Sequence, residues 1–181
     1  AAAILTKEGI VEPVLVGDPD IIRKVAGEKS ADISKVQIVH PVKDPKRSEY
    51  AKAYFEARKH KGITEADAEK QLADPLTYGI MMLNAGLVDG YLSGADHATG
   101  DTVRPALQIV KADKKAGLVS SFFIMVFPNK AIGENGILVF ADCAIKEDPS
   151  PDNLAGIAVV SARAAKILCG VDPKVAMLSY S

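Results

Sequence analysis

The sequence carries almost no net charge: 22 Lys and Arg stand against 23 Asp and Glu, interspersed along 181 residues. With no basic face or tail, it offers no field suited to a nucleic-acid backbone, and a nucleic-acid partner is not expected. Long apolar runs are missing too. The most apolar stretch, "GLVSSFFIMVF", is short and broken by serines, whereas a bilayer span needs about 20 apolar residues; no membrane partner is expected. Cysteine is scarce, with only Cys143 inside an apolar run and Cys169 near a predicted helix end. Two such residues fit no metal spacing and suit a reduced, cytoplasmic compartment. His40, His60 and His97 are far apart, with no carboxylate or cysteine at ligand spacing, so no metal site is expected. The first residues, "AAAILTKEG", lack both an initiator methionine and the regions of a signal peptide. They read as the end of a helix stopped at Gly9.

What is present alternates. Asp18-Pro19, Asp44-Pro45 and Asp74-Pro75 each offer an N-cap carboxylate followed by a proline at the first helical position, and Ser150-Pro151 does so with a hydroxyl. Between these starts, "EPVLVG" (12–17) and "KVQIVH" (35–40) read as buried parallel strands. A long helix is predicted over about 45–61, a short one capped by Thr64 with Asp67, and a third from Pro75 to a stop at Gly86. "VDGYLSG" (88–94) reads as a further strand, followed by a polar turn and a helix over about 103–110 with Pro105 in its first turn. "LVSSFFIMVF" and "GILVFADCAI" read as an antiparallel pair whose connection contains Asn135-Gly136. An Ala-rich helix over about 151–168 and a last strand, "KVAMLSYS", complete the pattern. This is α/β: a mainly parallel sheet with an antiparallel strand pair, in which ligands bind beyond the carboxyl ends of the strands.

The turn "SGADHATGDTVR" (93–104) occupies that position. Gly94 and Gly100 allow close backbone approach, the helix start supplies free N–H groups, and Ser93, Thr99, Thr102 and Arg104 add hydroxyls and a guanidinium. A phosphate suits such a set. A blander reading of the same residues makes Asp101 or Thr102 a helix cap, His97 a loop residue and Arg104 a surface side chain. The turn lacks the Gly-Lys-Ser/Thr ending of a nucleotide-phosphate loop and the Gly-x-Gly-x-x-Gly fingerprint. Arg58, in "EARKHKG", falls in a basic cluster at a helix C-terminus, either solvated or a second anion contact.

Four stretches in order, "LSGADHATGDTVRPALQIVK", "LVSSFFIM", "LVFADCAI" and "PKVAMLSYS", resemble the phosphate acetyltransferase (phosphotransacetylase) family of phosphate acetyl/butyryltransferases. The resemblance implies a three-layer α/β/α fold like that of the isocitrate and isopropylmalate dehydrogenases, with a first domain over 1–148 and the start of a second over 149–181. It also implies the reaction acetyl-CoA + phosphate ⇌ CoA + acetyl phosphate, with coenzyme A as a substrate and no other cofactor, in a cytoplasmic homodimer. Carried over by position, Ser93, Thr99, Thr102 and Arg104 resemble the phosphate or acetyl phosphate subsite, and Arg58 a CoA-binding arginine. Ala98, where Ser or Thr is more usual, and Asp96, where an apolar residue is common, depart from the pattern. No catalytic residue is assigned: in the family the proposed serine, arginine and base aspartate follow the last stretch. The chain is therefore expected to be a fragment inactive by itself. A phosphate butyryltransferase and a non-catalytic acyltransferase-like binding or oligomerisation domain are the alternatives.

Overall fold

The computed structural model describes residues 1–112, 114 and 116–178. The chain forms two compact units, Ala1–Lys111 and Ala112–Ser181; the division expected at 148/149 lies inside the second.

In the first unit, α1 (Ala2–Glu8) ends at Gly9, whose φ is 66°. Strands β1 (Val14–Val16) and β2 (Gln37–Val39) pair in parallel, Val14 opposite Gln37 and Val16 opposite Val39. The crossover between them is α2 (Pro19–Glu28), started by the Asp18 carboxylate, which accepts from the amides of Asp20 and Ile21. Then follow α3 (Arg47–Arg58), continued by one 3₁₀ turn (Lys59–Lys61), α4 (Glu65–Gln71), α5 (Pro75–Asn84) and α6 (Thr99–Ile109). Thr64 and Asp67 form the expected reciprocal cap on α4, and Asp74 caps α5. The core gathers Val39, Tyr50, Tyr54, Leu72, Tyr78, Ile80, Met81 and Ile109. Residues 76–82 of α5 are buried on every side, as a helix at the centre of a unit must be.

Three expectations are corrected here. Asp44-Pro45 does not open α3: the His40 carbonyl accepts the amides of Lys43 and Asp44, and the Asp44 carboxylate accepts the Lys46 amide at 2.8 Å. The chain is thus already turning, and α-helical bonding waits until Arg47. The helix expected over 103–110 begins at Thr99, because Ala98 is extended and its carbonyl accepts the amides of Asp101 and Thr102. Pro105 accordingly lies inside α6 rather than in its first turn, where its ring cannot supply an amide to the preceding turn. Finally, 88–94 joins no ladder among the described residues. Val88 and Tyr91 hold it to the core by side-chain packing instead.

In the second unit, β3 (Phe122–Val126) and β4 (Ile137–Ala141) form the expected antiparallel pair, Phe122 opposite Ala141. Asn135 and Gly136 take the positive φ values, 52° and 83°, that the Asn-Gly dipeptide favours. Among the described residues this pair and β1–β2 are separate two-stranded sheets. Helix α7 (Pro151–Cys169) starts with the Ser150 hydroxyl accepting the Asn153 amide and ends at Gly170. Residues 174–178 of the expected last strand are irregular, and 179–181 lie outside the described residues. No described helix is long and apolar enough to cross a membrane.

Candidate functional site

The turn ahead of α6 brings Gly94 against the predicted Thr102 side chain. Gly94 has a φ of 103°, and a Cβ placed on it would stand 3.2 Å from the Thr102 hydroxyl oxygen. A residue with a side chain would be strained there and would crowd Thr102. The bare Cα lets the chain leaving Ser93 pass close over the first turn of the helix. The hydroxyls of Ser93 and Thr102 are both enclosed and have no hydrogen-bond partner among the described residues. Two enclosed hydroxyls without partners are costly unless something else meets them.

The helix start is open as well. Ala98 occupies the N-cap position and has no side chain to accept from the first amides. At α2, α4, α5 and α7, by contrast, an Asp, Thr or Ser side chain does so. The amides of Thr99 and Gly100 therefore remain available, and they carry the positive end of the helix dipole. Thr99 is exposed beside them. Arg104 is exposed too, and its guanidinium folds back along the helix: a Cβ on Gly100 would be 3.8 Å from Nη2. Asp101, in the same first turn, supplies an opposing negative charge. Asp101 and Thr102 do not cap the helix, and His97 is an exposed loop residue. The start of α6 thus carries open amides, hydroxyls and one guanidinium within a single turn and its approach, residue types that suit the oxygens of a tetrahedral anion.

Arg58 stands apart, at the last residue of α3. It is half-buried, and its Nε is enclosed without a partner among the described residues. Its neighbour Lys59 is engaged by Glu56 at 2.6 Å.

Two features escaped the sequence reading. In α5, Gly79 lies in the middle of a buried helix, against the Cε2 edge of the Tyr91 ring; a glycine inside "LTYGIMML" was the signal. In the second unit, the Asp142 carboxylate accepts from the hydroxyls of Ser120 and Ser121 and from the amides of Ser121, Ala144 and Ile145. Burial raises its pKa, but the Ser121 hydroxyl and the amides outweigh that and hold it well below the ordinary 3.8. All its acceptor capacity is used, so it ties the open ends of β3 and β4 and presents nothing to a ligand. Among the described residues no three His, Cys, Asp or Glu side chains gather as a metal site.

Comparison with known proteins adds to this geometry. A family model described as "Phosphate acetyl/butaryl transferase" matches residues 1–181. The phosphate acetyltransferase of Clostridium acetobutylicum is 49% identical over 181 residues, covering 100% of this chain and 54% of that protein. That of Haemophilus influenzae is 42% identical over 182 residues, covering 100% of this chain and 24% of its own length. Among solved structures, a phosphotransacetylase from Streptococcus pyogenes superposes with a TM-score of 0.86 at 39% identity, over 99% of this chain and 53% of that one. The EutD phosphotransacetylase from Staphylococcus aureus does so with a TM-score of 0.85 at 38% identity, over 99% and 52%. The chain thus spans about half the length, or less, of these relatives.

Proposed function

The chain belongs to the phosphate acetyl/butaryl transferase family, and on that premise we propose that the intact protein moves an acetyl group between coenzyme A and inorganic phosphate, acetyl-CoA + phosphate ⇌ CoA + acetyl phosphate. The observation that carries the reading is the open start of α6: its N-terminus has no side-chain cap, and the hydroxyls of Ser93 and Thr102 are enclosed without partners among the described residues. In the reading, the amides of Thr99 and Gly100 and the hydroxyls of Ser93, Thr99 and Thr102 hold phosphate oxygens. Arg104 neutralises their charge. Orienting the phosphate lets one of its oxygens attack the thioester carbonyl carbon, with the CoA sulfur leaving; in reverse the thiolate attacks and phosphate leaves. Arg58 pairs with a CoA phosphate at a separate subsite. No cofactor beyond these substrates, and no nucleic acid or membrane, enters the reading.

Acetyl is favoured over butyryl because the relatives at 49% and 42% identity are phosphate acetyltransferases. A homodimer in the cytoplasm completes the proposal, and the free thiols of Cys143 and Cys169 agree with a reduced compartment.

The test is kinetic. In the intact protein, Arg104→Gln should weaken phosphate and acetyl phosphate by about 1.5–3 kcal/mol, the scale of a hydrogen bond to a charged group, with the CoA constant little changed. Arg58→Ala should do the reverse. Michaelis constants for all three substrates check both, and unchanged phosphate and acetyl phosphate constants in Arg104→Gln would remove that arginine from the site.

A further inference from the structure

We propose that Tyr91, seated on Gly79, is the positioning residue that sets where the anion-binding turn lies. The inference rests on the phosphate reading of that turn and adds a pair of residues which themselves touch no substrate.

The argument begins with what does not hold the segment. Between β2 and α6, residues 88–96 belong to no helix or strand, and among the described residues no backbone–backbone hydrogen bond of theirs runs to an element of the core. Among the described residues, the side-chain hydrogen bond that ties this segment to the core is that of the Tyr91 hydroxyl, which donates to the Leu76 carbonyl in α5 at 3.2 Å. The Cε2 edge of the Tyr91 ring comes so close to α5 that a Cβ added to Gly79 would stand 2.5 Å from Cε2 and 3.2 Å from Cδ2. No real side chain tolerates the first of these distances. Gly79 is also an expensive choice in itself, since glycine inside a helix is less favourable than alanine. Its position is explained by the close approach of the ring.

The chain then carries the seat to the site. Successive side chains of an extended segment point to opposite sides. Tyr91 packs on the core, Leu92 is 93% exposed, and the Ser93 hydroxyl is enclosed again. Ser93 is thus aimed by the residue two before it, and Gly94 follows at the contact with Thr102. A displacement of the Tyr91 ring moves Ser93 and Gly94 against α6. Placement errors of about 1 Å in a binding constellation can cost up to about a hundredfold in rate.

Gly79→Ala in the intact protein is the primary test, read by substrate constants and by amide hydrogen exchange. The Michaelis constants for phosphate and acetyl phosphate should rise about tenfold while that for CoA stays within about twofold, because only one subsite is displaced. Exchange should quicken at 92–98 and stay unchanged in α3 and α4. Tyr91→Phe, which keeps the ring and loses only the bond to Leu76, should raise the phosphate constant by about two- to threefold. Pairing Gly79→Ala with Tyr91→Leu removes the ring edge that meets the new methyl group and should recover most of the phosphate affinity. Equal changes in the CoA and phosphate constants, or no recovery in the double variant, would reduce the pair to a packing contact and overturn the proposal. So would a ring that swings aside with exchange at 92–98 unaltered. Thr102→Val separates the two readings. If it leaves the phosphate constant unchanged, the anion reading fails, and exchange at 92–98 alone decides whether the seat exists. If it raises that constant and Gly79→Ala does not, the seat is refuted and the anion site stands.

Discussion

The two compact units are ordered by different forces. In the first, α3, α4 and α5 bury Tyr50, Leu72, Tyr78 and Ile80 around one apolar centre, and polar groups work mainly at helix ends. In the second, the β3–β4 pair leaves Phe123, Val126 and Phe140 half exposed or more. Its open end is gathered by one carboxylate with five donors. Apolar burial is non-directional and scales with area, so it tolerates an irregular segment such as 88–96 lying across it. A carboxylate cluster depends on particular atoms and on the charge of one group.

The contrast can be broken at its strongest point by Tyr78→Ala. The ring is fully buried and meets Tyr50 edge-on, centroids 5.3 Å apart, and its removal should cost about 3–5 kcal/mol in urea unfolding. Tyr78 is neutral in acid, its hydroxyl pKa being pushed further up by burial and by Asp44. The loss should therefore be the same at pH 3 and pH 6.

Asp142→Asn should be next in size, about 2–4 kcal/mol at neutral pH, because several donors lose a charged acceptor. Here the loss should depend on pH. The folded pKa lies below the ordinary 3.8, so the stabilisation is complete above the unfolded value and disappears as pH falls through the folded one. The gap between the parent and the Asn variant should accordingly narrow as unfolding is measured from pH 5 down to pH 2. A gap that stays constant over that range would show that geometry, not charge, ties the two strands.

The smallest effect is expected from Asp74→Ala. Its carboxylate accepts the amide of Thr77 at 3.0 Å and the hydroxyl of the same buried residue at 2.8 Å. The loss should be about 1–2 kcal/mol, a helix cap plus one unpaired hydroxyl, measured by thermal unfolding.

Helix ends were the most legible part of the sequence, because a cap is a contract between residues two or three apart. Asp18, Thr64, Asp74 and Ser150 all cap as read. Asp44 shows the limit: the same dipeptide, preceded by a turn closed on the His40 carbonyl, bonds to Lys46 and starts no helix. Strand-like patterning misled at 88–94 for a related reason. Residue types propose a strand, but they cannot supply a neighbouring one, and Val88 and Tyr91, three residues apart, both pack on the core where strict alternation would put them on opposite faces.

The candidate site divides in the same way. Small residues, hydroxyls and Arg104 between two elements could be read as an anion-shaped turn from residue types alone, because donor chemistry is local. That α6 begins at Thr99 with an uncapped end, that the Ser93 and Thr102 hydroxyls are enclosed without partners, and that Tyr91 rests on the bare Cα of Gly79 were decided only in three dimensions. Each depends on which distant segments come within a few ångströms of one another, and that is set by how the whole unit buries its apolar surface rather than by any local run of residues.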